Sequence, residues 1–174
     1  MTCTFGPIDG FTAASGGDAN QDVADPGSEV DELVATMDEA VGAYIRGDIR
    51  HYLSLFDHPD DYSLMPPYGG ETVQGYSPSE EAIEETSRFF VTGEGHLELQ
   101  HTYTSGDLVV LVAVERQHGE IGDFPDQDLS LRVTLVFRRA GDRWELVHRH
   151  ADPLVAQIPM SHLAELARGL GLEV

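Results

Sequence analysis

The chain has 174 residues and a formal net charge of −21, with 31 acidic residues against 10 basic ones. The length fits one domain with a sizeable core, and the charge argues against nucleic acid or an anionic membrane surface as a partner, because its field would repel phosphate. Every base is arginine, a bias that fits either a high-salt cytoplasm or a GC-rich genome and specifies no function.

Residues 1–27 are rich in Gly, Ala, Ser, Thr and Asp and end in Asp25-Pro26-Gly27, which predicts a disordered acidic tail. The single cysteine, Cys3, lies in it and cannot form an intramolecular disulfide. No basic stretch followed by an apolar one opens the chain, as a secretory leader would. The longest apolar run, Leu108–Val114, is far shorter than the roughly 18 residues of a membrane span. The expectation is a soluble cytoplasmic protein.

Ser28 is the expected N-cap of a first helix, with Asp31 completing a variant capping box. Val30, Leu33, Val34, Met37, Val41 and Tyr44 recur at helical spacing behind it. Gly47-Asp48 ends that helix and caps a second, Ile49–Phe56, with Tyr52, Leu53 and Phe56 on its inner side. A turn at residues 57–61 leads to a short strand, Tyr62–Met65, and the loop Pro66-Pro67-Tyr68-Gly69-Gly70. Ser77-Pro78 opens a third helix to about Val91, with Ala82, Ile83, Phe89 and Phe90 on its apolar face.

Strands follow. His96–Ser105 alternates, with Leu97, Leu99, His101 and Tyr103 on one side. Leu108 to about Ile121 is a long strand, and residues 122–128 are a Pro- and Asp-rich loop. Leu129–Asp152 reads as a hairpin closed by a two-residue loop at Ala140-Gly141. That register faces Phe137 with Trp144, Leu135 with Leu146, Val133 with His148 and Leu131 with His150. It places Arg132, Thr134 and Arg149 together on the second, mixed face; a bulge would swap the faces of one strand. Ser161–Leu170 predicts a short terminal helix, with His162, Leu163, Leu166 and Ala167 as its packing side. Helices ahead of an antiparallel meander make an α+β fold, organised as a tail (1–27), a domain (28–155) and a C-terminal extension (156–174).

The chain also resembles a known family. Arg46-Gly47-Asp48, the segment Ser63–Gly70 leading to Gly75, Gly106-Asp107-Leu108, Glu115-Arg116 and Leu131-Arg132-Val133-Thr134 carry the likeness. The strongest part runs from Phe137-Arg138-Arg139 through Trp144–Pro153. These residues resemble the SnoaL-like, ketosteroid-isomerase-like branch of the nuclear transport factor 2 superfamily, over about residues 28 to 155. The resemblance implies a cone-shaped curved antiparallel sheet wrapped around three N-terminal helices. It also implies a pocket inside the cone and a homodimer formed through the outer sheet face. The association domain of calcium/calmodulin-dependent protein kinase looks similar over Arg46–Phe56 and the last two strands. There, arginines on the inner face line the pocket, and the matching positions here are Arg132, Thr134 and Arg149. Isomerase members use a carboxylate base, and no Asp in Ile49–Phe56 or along the inner strand positions matches it, which argues against steroid isomerisation.

Candidate chemistry follows from residue types. Side by side, Arg132 and Arg149 would hold a carboxylate-bearing ligand, or be neutralised by Glu115 or Glu145. Glu115, alone in an aliphatic strand, must either pair with an arginine or rise in pKa and act as a general base. Tyr44, Tyr52 and Tyr68 would donate hydrogen bonds to a ligand oxygen, or simply pack. His148 and His150 alternate as strand metal ligands do, yet sit among apolar residues; His150 is the second candidate acid or base. No metal or cofactor is expected. The expected function is binding of a small polar or anionic organic molecule, with cofactor-free proton transfer, of the isomerase, cyclase or hydratase kind, as its chemistry. The alternative is a non-catalytic binding or dimerisation module.

Overall fold

A computed structural model describes residues 26–169. Its elements run α1 (Pro26–Ile45), α2 (Ile49–Leu55), β1 (Ser63–Met65), β2 (Val73–Gln74), α3 (Glu80–Phe89), β3 (Phe90–Ser105), β4 (Leu108–Ile121), β5 (Phe124–Asp128), β6 (Leu131–Ala140), β7 (Arg143–Pro153) and α4 (Met160–Ala167). The seven strands form one curved, unclosed sheet in the order β2-β1-β7-β6-β4-β3, with β5 extending the β6 side of β4. All pairings are antiparallel except β1 with β7.

The core lies between α1 and the inner face of the sheet. Leu33, Met37, Ala40 and Val41 of α1 pack on Val109, Leu111 and Ala113 of β4 and on Leu131, Val133, Leu135 and Phe137 of β6. Alternation along β4 and β6, broken only where Ala113, Val114 and Glu115 are buried in succession, sends every second side chain inward, so the apolar face meets the helices. Gly47 turns the chain out of α1 with φ of 75°, and a Cβ there would lie 2.2 Å from the Phe90 carbonyl oxygen. Gly93 lets α1 rest on β3, since its Cβ would lie 2.7 Å from a side-chain carbon of Ile45. The Asp38 carboxylate accepts from the Leu97 backbone N–H at 2.6 Å and fixes the helix on the same strand. Asp48 caps α2 by accepting from the His51 backbone N–H at 3.3 Å.

Several expectations are revised. The first helix begins at Pro26, so Ser28 lies inside its first turn rather than at the cap. The third helix is capped by Ser79 and ends at Phe89; Phe90 already belongs to β3, and Phe89 is half exposed. Residues 124–128 pair with β4 as a strand instead of looping freely. In β3 a bulge between Leu99 and His101 swaps the face: Leu97 and Leu99 share a side with Glu115 and Ala113, while His101 and Tyr103 share the opposite side with Val112 and Val110. Helix α4 buries none of its residues, and Leu163 and Leu166 of its expected packing side are about half exposed. Cys3 and the rest of the tail up to residue 25 lie outside the described residues, as does Leu170.

Candidate functional site

The β6–β7 hairpin decides what faces inward. Its loop is Gly141-Asp142, one residue later than expected, with Gly141 at φ of 64° and Ala140 opposite Arg143. From there Arg139 pairs with Trp144 and Phe137 with Leu146. The register then slips: Val136 pairs with His148, leaving Val147 as the extra residue of a bulge. Beyond it Leu135 faces Arg149, Thr134 faces His150, Val133 faces Ala151 and Arg132 faces Asp152.

This bulge separates residues that the unbulged register puts together. Arg149 turns inward beside Leu135 and Leu64. Arg132, Thr134 and His150 sit on the outer face, with Arg132 and His150 exposed. Arg132 donates to the Asp152 carboxylate at 2.6 Å, and His148 meets the Ser63 hydroxyl at 2.8 Å on that face. Arg132 and Arg149 are therefore not neighbours, and each has its own carboxylate. Tyr68 is 87% exposed in the loop after β1. Of the eight side chains singled out from the sequence, Glu115, Arg149, Tyr44 and Tyr52 are brought together.

Inside, Glu115 and Arg149 form a fork-to-fork ion pair reaching across β6. One arm, Arg149 Nη2 to Glu115 Oε2, measures 2.8 Å, and Nη1 to Oε1 forms the other. The side chains are only 4% and 15% exposed, so both charges are largely withdrawn from water. Burial opposes the charge of Arg149, but Glu115 beside it more than compensates and holds the guanidinium above its ordinary pKa.

Tyrosines surround the pair. Tyr44 of α1 and Tyr52 of α2 meet edge to face at 5.1 Å, and Tyr44 also packs on Phe90 at 4.9 Å. Tyr62, just before β1, is 6.1 Å from Tyr76, which follows β2. Burial raises the pKa of all four phenols, Tyr62 to about 12. The charge of Arg149 pulls against that rise at Tyr44, Tyr52 and Tyr62, so these three stand within its field. Exposed Tyr68 still raises the pKa of Tyr44 and Tyr76, which puts it beside the rim of this cluster.

His58 completes the group and was not legible in the sequence. Its ring lies 4.9 Å from Tyr62, 5.1 Å from Tyr76 and 6.0 Å from Tyr52. Its Nε2 is buried without a hydrogen-bond partner. Burial lowers its pKa, although a bond to the Phe56 backbone works the other way. With that bond made through the other nitrogen, Nε2 carries the lone pair of a neutral ring. The residue stands in an Asp-His-Pro turn between Tyr52 and Tyr62, and only the fold adds Tyr76 from the segment after β2, so no local pattern marks it.

Two surface hollows lie elsewhere. The larger, about 510 Å³, is on the outer face, lined by Glu98, Arg116, Arg132, Thr134, His150 and Asp152. A second, of about 320 Å³, lies between the first turn of α1 and the hairpin loop, where Arg139 pairs with Glu29 and stacks 4.4 Å over Trp144. Among the described residues no three or more of His, Cys, Asp and Glu cluster as metal ligands do. No helix among them is long and apolar enough to cross a membrane.

Comparison with known proteins fits this geometry. Residues 33–156 match the family described as the SnoaL-like domain. No curated protein matches the sequence. A candidate dehydratase of the NTF2-like family from Streptomyces avermitilis is 24% identical, covers 76% of this chain and 100% of its own, and superposes with a TM-score of 0.57. An NTF2-like superfamily protein from Salmonella enterica serovar Typhimurium gives 18% identity, 77% and 96% coverage and a TM-score of 0.58. The CamKII hub homology domain of Chlamydomonas reinhardtii gives 16% identity, 73% and 99% coverage and a TM-score of 0.54. At these identities the structural likenesses establish the shared fold.

Proposed function

The chain belongs to the SnoaL-like domain family, and from that premise we propose that it binds a small polar organic molecule between α1 and the inner face of the sheet. The buried Glu115–Arg149 pair facing Tyr44 and Tyr52 carries this reading. Apolar residues of similar volume would usually be as stable there, or more so. A buried ion pair ringed by phenols is therefore better accounted for by a polar guest than by stability. In this reading Arg149 supplies a fixed positive field, and Tyr44 and Tyr52 donate to a ligand oxygen. Glu115 is oriented by the two hydrogen bonds it accepts from Arg149. Such groups support proton transfer without a cofactor, which is the proposed reaction class. Since Glu115 already neutralises Arg149, the preferred guest is polar and uncharged rather than a carboxylate.

Native mass spectrometry of the purified protein tests this. Wild type is expected to retain a small-molecule adduct of constant mass, and a Glu115→Leu/Arg149→Met variant to lose it while staying folded. Equal occupancy in the two proteins would place the guest elsewhere and end this reading.

A second reading, self-association through the outer face, has its own support. There Arg132–Asp152 and Arg116–Glu98, at 2.6 and 2.7 Å, flank Val112 and Val114. Opposite charges so arranged are self-complementary across a two-fold axis. Sedimentation velocity is expected to give a dimer that Arg116→Glu with Arg132→Glu splits into monomers; a monomeric wild type would remove the proposal.

A further inference from the structure

The unpartnered nitrogen of His58 points to more than a polar interior. A buried acceptor without a hydrogen bond is costly, and nearly all such groups in folded proteins are satisfied. Here Nε2 is left alone among Tyr52, Tyr62 and Tyr76. Tyr52 and Tyr62 also stand in the field of Arg149, so His58 and the ion pair border the same tyrosine cluster. Among the described residues the charge acting on the imidazole is that of Asp57, and the buried guanidinium of Arg149 is already held by Glu115.

Three features then define a complementary guest. The lone pair on Nε2 asks for a hydrogen-bond donor. The ring edges and faces of three tyrosines ask for a flat, apolar body. The neutralised Arg149 offers no unpaired charge to a carboxylate. We infer that His58 Nε2 accepts a hydrogen bond from a hydroxyl of a small, uncharged, ring-bearing ligand seated against Tyr52, Tyr62 and Tyr76. This inference rests on the inner face being the ligand site, and it names the chemical class of that ligand and the residue that orients it. The same lone pair can take the hydroxyl proton outright: the O–H bond breaks, its electron pair stays on the ligand oxygen, and the imidazole becomes the cation until the proton returns.

The test uses the full chain labelled with ¹⁵N at histidine, with phenol and benzoate as probes of equal ring size. His58→Phe assigns the His58 signal. Phenol at millimolar concentration is expected to move the Nε2 resonance of His58, and benzoate to leave it in place. In His58→Phe, phenol affinity read from tyrosine ring shifts is expected to fall about tenfold, the effect of leaving one hydrogen bond unmade. The melting temperature of that variant is expected to equal or exceed that of wild type, because an unsatisfied nitrogen has been replaced by carbon. If benzoate moves His58 as strongly as phenol, the uncharged-ligand inference fails while the inner-face reading stands. If neither probe moves it, or if His58→Phe melts well below wild type, His58 is a packing residue and the inference is overturned, whatever native mass spectrometry shows of a retained guest.

Discussion

The two faces of the sheet carry the same chemistry in opposite settings. Arg149–Glu115 on the inner face is 15% and 4% exposed, whereas Arg132–Asp152 on the outer face is 57% and 43% exposed. Both are close arginine–carboxylate contacts. Outside, water already solvates each charge, and an exposed pair contributes about 0–1 kcal/mol. Inside, each partner has lost its hydration and depends on the other, so removing one leaves a buried charge uncompensated. A count of ion pairs would rank the two alike. Burial separates them, and burial is set by one extra residue, Val147, which turns Arg149 inward and leaves Arg132 outside.

The sharpest way to break this contrast is to remove one inner partner. Arg149→Ala is expected to lose about 3–5 kcal/mol of stability in chemical unfolding, because Glu115 is left buried and unpaired. A loss below 1 kcal/mol would mean that water reaches the pair and that the contrast is false. Replacing both partners, Glu115→Leu with Arg149→Met, is expected to restore stability to wild type or exceed it by about 1–4 kcal/mol. A double variant as unstable as Arg149→Ala would show that the pair is structural.

A smaller effect comes from pH. The folded-state pKa of His58 is depressed, chiefly by burial, so the unfolded chain takes up that proton first. The stability tied to neutral His58 is therefore complete above the unfolded value, about 6.5, and is lost as pH falls from there towards the folded value. Tyr52, Tyr62, Tyr76 and Asp57 are the ionisable groups facing it. Unfolding midpoints measured at several pH values are expected to converge for wild type and His58→Phe above pH 7, relative to their difference at pH 5. Parallel profiles would mean that His58 is solvated. The smallest effect belongs to the outer face: Arg132→Ala is expected to change stability by less than about 1 kcal/mol, and a loss as large as that of Arg149→Ala would erase the distinction between the faces.

The sequence by itself determined much of this fold. Alternation in Leu108–Ile121 and Leu131–Phe137, helical spacing from Val30 to Tyr44 and glycine at Gly47 and Gly141 follow from local stereochemistry, and the elements form where those signals stand. Glu115, isolated among Val, Leu and Ala, is legible as a buried carboxylate that either pairs with an arginine or rises in pKa. Which arginine it meets is not. Arg132 and Arg149 look equivalent along the chain, and only the slip between Phe137–Leu146 and Val136–His148 distinguishes them. No residue type marks that slip, because a bulge is favoured by what surrounds the strand: β6 on one side, the parallel β1 on the other and the core beneath. The bulge after Leu99 reverses β3 in the same silent way. His58 is a third case, since its environment is assembled from α2, the approach to β1 and the segment after β2. Periodicity travels along the backbone and can be read there. The assignment of a face, and of a partner for each buried charge, depends on pairings between distant strands, and only the folded chain makes them.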